Sequence, residues 1–496
     1  MLITATPLLA LAQIGGSGST WHYTSQAIAD RVDRVPGQPD VSFSQFAGFV
    51  GIGDSTGPRR DIFYWFVESQ RDPANDPLLL WTNGGPGCSG LLGKLTEMGP
   101  FRAANNGTGL DLMQYAWNRE ASIIFVEQPL FTGFSISDDP SDAITTDEIN
   151  AERLTTFIDR WLVRFPGYRQ NDFYLSSESY GGHYVPHTLS AILRHNARQL
   201  ERSRTASLRL NVTVNEPLIN LRGAMLGNPY TDPVENAIGM MDAAWGHGLL
   251  PTDAYETWRR KCPRGATRMA TRQDGYLYSY DEDDPDTAAG RASTIRGASD
   301  GAVLCFTDGF SEYRTWVGDD ERVNPYALGF PTCKGGGLTM GGGGNYAQRF
   351  RLFSLLQRRE GANVVGDGTS NPNRLLYSPC GEDFMTTYLN RADVRAALHV
   401  DHDRPWAPCD DSLFEGYDET SHDAPQQPLW REIIRKTDWS SLQMEPLKLL
   451  IFSGDNDAIC GVHGTQRWIG TLGLERTSYW QPWKFTDPLY GEQLGG

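Results

Sequence analysis

The sequence predicts an α/β fold, with a central, mostly parallel sheet flanked by helices. Three observations carry that prediction. Apolar runs of strand length recur at Asp61–Val67, Pro77–Trp81, Ser122–Glu127, Phe173–Leu175 and Leu218–Gly227. Segments of helical periodicity fall between the later runs, the pattern of a parallel sheet covered on both faces. One run, Phe173–Leu175, leads through Ser176-Ser-Glu-Ser-Tyr-Gly181 into a helical segment, which puts Ser179 on a tight strand-to-helix turn.

That turn organises the chain. Val185, Leu189, Ile192 and Leu193 share one helical face, and Pro186 is expected in the first helical turn, where it is tolerated. A serine so placed is pushed clear of the sheet, and the next backbone N–H can help bind an oxyanion. Such elbows usually carry glycine two residues before the serine. Here the position holds Ser177, another small residue.

The other elements follow in order. Thr82-Asn-Gly-Gly-Pro-Gly-Cys-Ser-Gly90 comes directly after a buried strand, and so many glycines imply a loop that approaches something closely. Downstream of Ser122–Glu127, Thr145 and Glu148 form a capping-box pattern. Ile149, Phe157, Ile158, Trp161, Leu162 and Phe165 supply an apolar helical face, and Pro166-Gly167 ends it. Residues 230–385 change in texture. They hold four of the seven cysteines, the acidic run Asp281–Asp286 and glycine-dense loops, and they read as an insertion or cap. Tyr388–Leu398 is expected to be one helix capped by Asn390, with Val394 and Leu398 inward. Leu447–Phe452 is a late strand running into Ser453-Gly-Asp-Asn-Asp457. The core therefore comprises residues 20–229 and 386–496, separated by the insertion.

Composition narrows the function. The 496 residues are 39% hydrophobic and 21% charged, as in globular proteins. Forty-four basic against 61 acidic residues leave a net charge of −17, which argues against nucleic acid or an anionic membrane as a partner. No stretch approaches the ~20 apolar residues of a membrane span. Residues 1–12 read as a signal peptide lacking a basic start, and Asn106 and Asn211 head glycosylation sequons. The cysteines show no CxxC spacing, so neither a metal nor a cofactor is expected. In a secreted chain seven cysteines fit three disulfides and one free thiol.

Together, Asn83-Gly-Gly-Pro-Gly-Cys-Ser89, Glu178-Ser-Tyr-Gly-Gly-His-Tyr-Val-Pro186, Asn220–Pro233, Tyr388-Leu-Asn390 and Gly454-Asp-Asn-Asp457 resemble the serine carboxypeptidases, a branch of the α/β-hydrolases. The resemblance implies an acid-active exopeptidase acting on peptide or protein C-termini, secreted or lysosomal/vacuolar, with a homodimer as one possible assembly. By position, Ser179 resembles the nucleophile and Asp457 the triad acid. The N–H groups of Gly85 and Tyr180 resemble the oxyanion hole, and Asn83, Gly84, Glu97 and Glu178 the clamp for the substrate carboxylate. The same resemblance pairs Cys88 with Cys409, Cys262 with Cys305 and Cys333 with Cys380, and leaves Cys460 free beside the site. Two glutamates facing a carboxylate require that at least one be protonated, hence activity at acidic pH.

The triad histidine is expected downstream of the acid, in a Gly-His context beyond residue 496, so the C-terminus reads as truncated. His183 and His187 lie on the elbow helix and His463 follows Asp457 too closely; all three read as structural. Two other functions stay open on the sequence: an acyltransferase on the same scaffold, and a non-catalytic binding or protective protein. The clamp favours the peptidase, because an acyltransferase has no terminal carboxylate to hold.

Overall fold

The computed structural model describes residues 23–210, 217–261, 268–271, 277–280, 293–294, 324–329 and 381–495, apart from 423, 437–438, 480 and 488–490. An eight-stranded sheet forms the centre. Its strands are β1 (Gln45–Gly51), β2 (Arg60–Val67), β3 (Leu78–Thr82), β6 (Ser122–Val126), β7 (Ile136–Ser137), β8 (Phe173–Ser179), β9 (Leu221–Pro229) and β13 (Lys448–Phe452). The hairpin β4 (Phe101–Ala104) and β5 (Gly109–Leu112) lies apart, as do β10 (Arg268–Thr271), β11 (Leu277–Tyr280) and β12 (Ser293–Thr294), and the pair β14 (Trp483–Asp487) and β15 (Gly491–Gly495). Strand order is β1-β2-β6-β3-β8-β9-β13, with β7 on β2. The five strands from β6 to β13 are mutually parallel, and β1 and β2 are antiparallel. This is the mostly parallel sheet that the alternation of elements predicts, in the α/β-hydrolase arrangement that the resemblance implies.

Both faces are covered, and the strand pleat decides which side chain goes where. Ile62, Tyr64, Phe66, Leu78 and Leu80 enter one core with the helices α2 (Asp147–Arg164) and α3 (Gly181–Leu210). Phe63, Trp65, Val67, Leu79 and Trp81 enter the other, with Tyr388 and Trp406. Each fully buried side chain of this size contributes about 1.5–3 kcal/mol. At the β13 edge Leu450 and Phe452 are exposed.

Three local expectations are corrected. The helix α2 is capped by Thr146, whose hydroxyl accepts from Ile149 N–H; Thr145 instead donates to Asn150. The helix α3 begins at Gly181, so Pro186 sits in its second turn rather than its first. The stretch Tyr388–Leu398 is two helices, Gly381–Leu389 and Ala392–Ala397. It breaks because the Asn390 amide bonds the Thr386 and Trp406 carbonyls and accepts from Trp406 N–H.

Within residues 230–385, the described parts are residues 230–261, with α4 (Pro233–Gly246) and α5 (Thr252–Lys261), the strands β10–β12, residues 324–329 and residues 381–385. The helix α4 packs closely on the helix Val462–Gly470, joined by the Arg467–Glu235 ion pair. The leader 1–12, Asn211 and the pairs Cys262–Cys305 and Cys333–Cys380 lie outside the described residues. The Cys88–Cys409 disulfide is formed, and Cys460 is a buried free thiol. Asn106 is exposed in a turn, at φ 55°. No helix among the described residues is long and apolar enough to cross a membrane.

Candidate active site

Parallel strands bring their C-terminal ends to one edge of the sheet, which is where ligands bind in open α/β folds. Here β3 delivers Asn83, β8 delivers Glu178 and Ser179, and β13 delivers the loop to Asp457. Ser179 takes φ 53°, the left-handed conformation that a sharp elbow imposes on a residue with a side chain. Its carbonyl accepts from Tyr230 N–H at 2.7 Å. Ser177 fills the position where glycine was usual, and its hydroxyl donates to the Thr82 carbonyl at 2.7 Å. That bond ties the elbow strand to the start of the glycine loop.

The loop touches the elbow. A Cβ on Gly84 would lie 2.4 Å from Tyr180 N and 2.7 Å from the Glu178 carbonyl, so no larger residue fits there. Among the described residues, neither the Gly85 nor the Tyr180 N–H has a protein acceptor. Two unengaged donors at a nucleophile elbow can stabilise charge developing on a carbonyl oxygen.

Asn83 is aimed by its surroundings. Its Oδ1 accepts from the Trp81 indole N–H at 2.8 Å and from Gly93 N–H at 3.0 Å. With the oxygen held there, its Nδ2 must face Glu178 Oε1 at 2.6 Å and Glu97 Oε1 at 3.5 Å. Burial, the neighbouring Glu97 charge and their mutual hydrogen bond push the Glu178 carboxyl well above the usual range. Glu97 is raised too, by burial and by the Glu382 charge, while its hydrogen bonds to Glu178 and Asn83 pull the other way. Glu97 is reached from a single π-helical turn, Gly93–Glu97, not from a surface helix. Glu382, nearby on the helix Gly381–Leu389, is raised to about 7 by burial and by Asp383.

Asp457 accepts from the N–H groups of Ile459 at 2.8 Å and Cys460 at 3.2 Å. Burial pushes it up to about 6 despite those bonds. Asn228, at the end of β9, pins this loop through Gly454 and the Cys460 carbonyl. The Cys460 thiol lies beside Ser179 and Asp457, and burial raises it well above the ordinary thiol range.

The histidines are engaged elsewhere. His183 is fully buried with Nδ1 3.1 Å from Asp147 Oδ2, and His187 reaches Gln426 at 3.0 Å. His399 and His402 bond backbone carbonyls, and His463 is exposed. Among the described residues no hydrogen bond joins a histidine to Ser179 or Asp457. Nor does any group of three or more His, Cys, Asp or Glu there form a metal-binding cluster.

The sequence reading overlooked two groups that this geometry brings forward. Glu127 directly follows β6 as a buried carboxyl, and Asp147 anchors His183 and Tyr417 beneath the elbow helix. The signal for Glu127 was a lone charge closing an otherwise apolar strand.

Fold and elbow together define an α/β-hydrolase scaffold with a serine on its strand-to-helix turn. A family model described as serine carboxypeptidase matches residues 36–496, and the chain belongs to that family. Among curated relatives, serine carboxypeptidase-like 22 of Arabidopsis thaliana is 30% identical over 95% of this chain and 86% of its own length. The P-(S)-hydroxymandelonitrile lyase of Sorghum bicolor is 31% identical over 92% of this chain and 74% of its own. The solved structure of a prohormone-processing carboxypeptidase, Kex1, from Saccharomyces cerevisiae superposes with a TM-score of 0.61. It covers 93% of this chain and 85% of that one at 20% identity, a likeness of fold.

Proposed function

We propose that this protein is a serine-type carboxypeptidase that releases C-terminal residues from peptides and works best at acidic pH. The observation that carries the reading is the clamp: a buried asparagine whose donors are aimed at two crowded carboxyl groups beside the elbow serine. A terminal carboxylate entering that cluster can be bound by Asn83, by Gly84 N–H and by whichever of Glu97 and Glu178 holds a proton. The Ser179 hydroxyl then attacks the scissile carbonyl, whose oxygen meets the N–H groups of Gly85 and Tyr180. The C-terminal residue leaves as an amine, and water releases the acyl group from Ser179. The proton of Ser179 would pass to an imidazole oriented by Asp457 and from there to the leaving amine, as in a triad, the histidine not being among those the described residues bring to Ser179. The disulfide supports residence in an oxidising compartment on the secretory route, outside the cell or lysosomal/vacuolar.

Since relatives of similar identity include a lyase, family membership alone does not fix the reaction. The discriminating experiment compares an N-blocked dipeptide with its C-terminal amide at pH 5. The expected result is a preference for the free carboxylate of about 10⁴-fold in kcat/KM, as for other sites built to pair a polar group. Equal turnover of both would sink the clamp. Fluorophosphonate labelling of Ser179 reads the proton acceptor separately, because an unactivated serine does not label.

A further inference from the structure

Glu127 is a buried carboxyl with no role in the scheme above, yet it sits where three stretches of chain meet. Its Oε1 accepts from the Ser89 hydroxyl at 2.5 Å and from the Trp406 indole N–H at 2.6 Å. Its Oε2 accepts from Phe134 N–H at 2.6 Å. Ser89 closes the glycine loop, and Trp406 opens the segment leading to Cys409. Around these contacts the two segments are sewn together by the Cys88–Cys409 disulfide, by Ser89 N–H to the Pro408 carbonyl at 2.8 Å, and by Asp410 N–H to the Gly87 carbonyl at 3.1 Å. Room has been made for the carboxyl: Gly133 takes φ 53°, and a Cβ there would come within 2.0 Å of Glu127 Oε1.

Burying a carboxyl is costly unless its oxygens find donors. Three donors from three places meet that requirement here, and none comes from the substrate clamp. Asn83 is held independently, by Trp81 and Gly93. The glycine loop thus has two separate fixings, one at its Asn83 end and one at its Ser89 end, with Gly85 between them.

We infer that Glu127 is a positioning residue, which sets the Gly85 N–H for the reaction by clasping Ser89 to Trp406. This role rests on the proposed function. Losing one oxyanion donor costs roughly 10²–10³ in kcat, so a loosened donor is expected to cost about ten- to a hundredfold. Because Asn83 keeps its own fixing, KM should change less than about twofold. Glu127→Gln tests this. Its NH2 must face a donor, either the Phe134 N–H or the Ser89 and Trp406 pair, so the side chain has to shift and the clasp loosens. Trp406→Phe removes a single donor and keeps most of the ring volume, and it covers the case in which Glu127→Gln does not fold.

Two readouts are needed: kcat and KM on the blocked dipeptide, and hydrogen exchange of the Ser89 and Asp410 amides in the full chain. The expected result is a fall in kcat at constant KM, exchange at both amides about tenfold faster, and unchanged exchange at Gly93. Unchanged exchange at Ser89 and Asp410 in both folded variants overturns the inference, as does faster exchange with undiminished kcat. If the parent chain hydrolyses no blocked dipeptide, the functional reading fails instead, and exchange alone decides whether Glu127 holds the loop.

Discussion

Glu178 and Asp147 are both withdrawn from bulk water at the elbow, and they hold their protons in opposite ways. Glu178 directly precedes Ser179, has one neutral donor in Asn83, and faces a second carboxyl. Asp147, at the start of α2, meets His183 at 3.1 Å, the Tyr417 hydroxyl at 2.7 Å and His187 at 3.8 Å. Burial alone would raise both. In Asp147 the hydrogen bonds and the imidazoles outweigh burial and hold the carboxyl below the usual range, whereas Glu178 is left high. Donor number, not depth, decides the charge. The first cluster is the one proposed to receive a carboxylate; the second holds the elbow helix through His183.

Breaking the anchoring cluster should have the largest effect. Asp147→Ala leaves His183 and Tyr417 without their acceptor and should cost about 3–5 kcal/mol of stability, read by denaturant unfolding. A loss below about 1 kcal/mol would mean that Asp147 is not the anchor.

The clamp should instead respond in pH. Glu178→Gln keeps a hydrogen-bond donor that cannot ionise, so kcat/KM at pH 7.5 should rise about tenfold relative to the parent, with little change at pH 5. An unmoved profile would remove the protonated glutamate from the account.

Stability should carry the same sign. Glu178, Glu382 and Glu127 (the last two at about 7) and Asp457 at about 6 are all raised above their unfolded values. A raised carboxyl binds its proton more tightly in the fold. Its contribution is therefore complete below about pH 4, near the unfolded values, and is lost as pH climbs through 6 to 7. Tm should accordingly be higher at pH 5 than at pH 7.5, with a smaller difference in Glu127→Gln. A Tm that rises across that interval would contradict the assignments.

The smallest effect is expected at the rim of the anchor. His187 is partly exposed and 3.8 Å from Asp147, so His187→Gln should change stability by less than about 1 kcal/mol.

Much of this was legible in the sequence because it is local. The elbow needs only a strand, a small residue, a serine and a glycine in succession, and the β3 loop declares itself by similar adjacency, whereas an Asp-rich turn after a strand is common and Asp457 stood out only through family resemblance. Glu97 entered through family resemblance alone, since the π-helical turn that presents it leaves no mark in the periodicity. The Asp147–His183–Tyr417 cluster was illegible: its members are 36 and 270 residues apart, and only packing assembles them. Local readings failed where a distant side chain intervened. Thr145 was lost as a cap to Asn150, and the helix through Asn390 was broken by its bonds to Trp406.

The bonds that hold Asn83 also bear on how the protein ages. Asn-Gly is the dipeptide most prone to spontaneous deamidation, because the following nitrogen can attack the side-chain amide and expel ammonia. Asn83-Gly84 would convert to a third carboxyl inside the clamp. That attack needs the amide carbon to swing toward Gly84 N, while Trp81 and Gly93 hold its oxygen and Gly84 is pressed against Tyr180. The folded chain should therefore keep its asparagine far longer than the unfolded one at neutral pH. Peptide mapping of the two after incubation measures the difference, and equal conversion in both would show that these bonds give no protection.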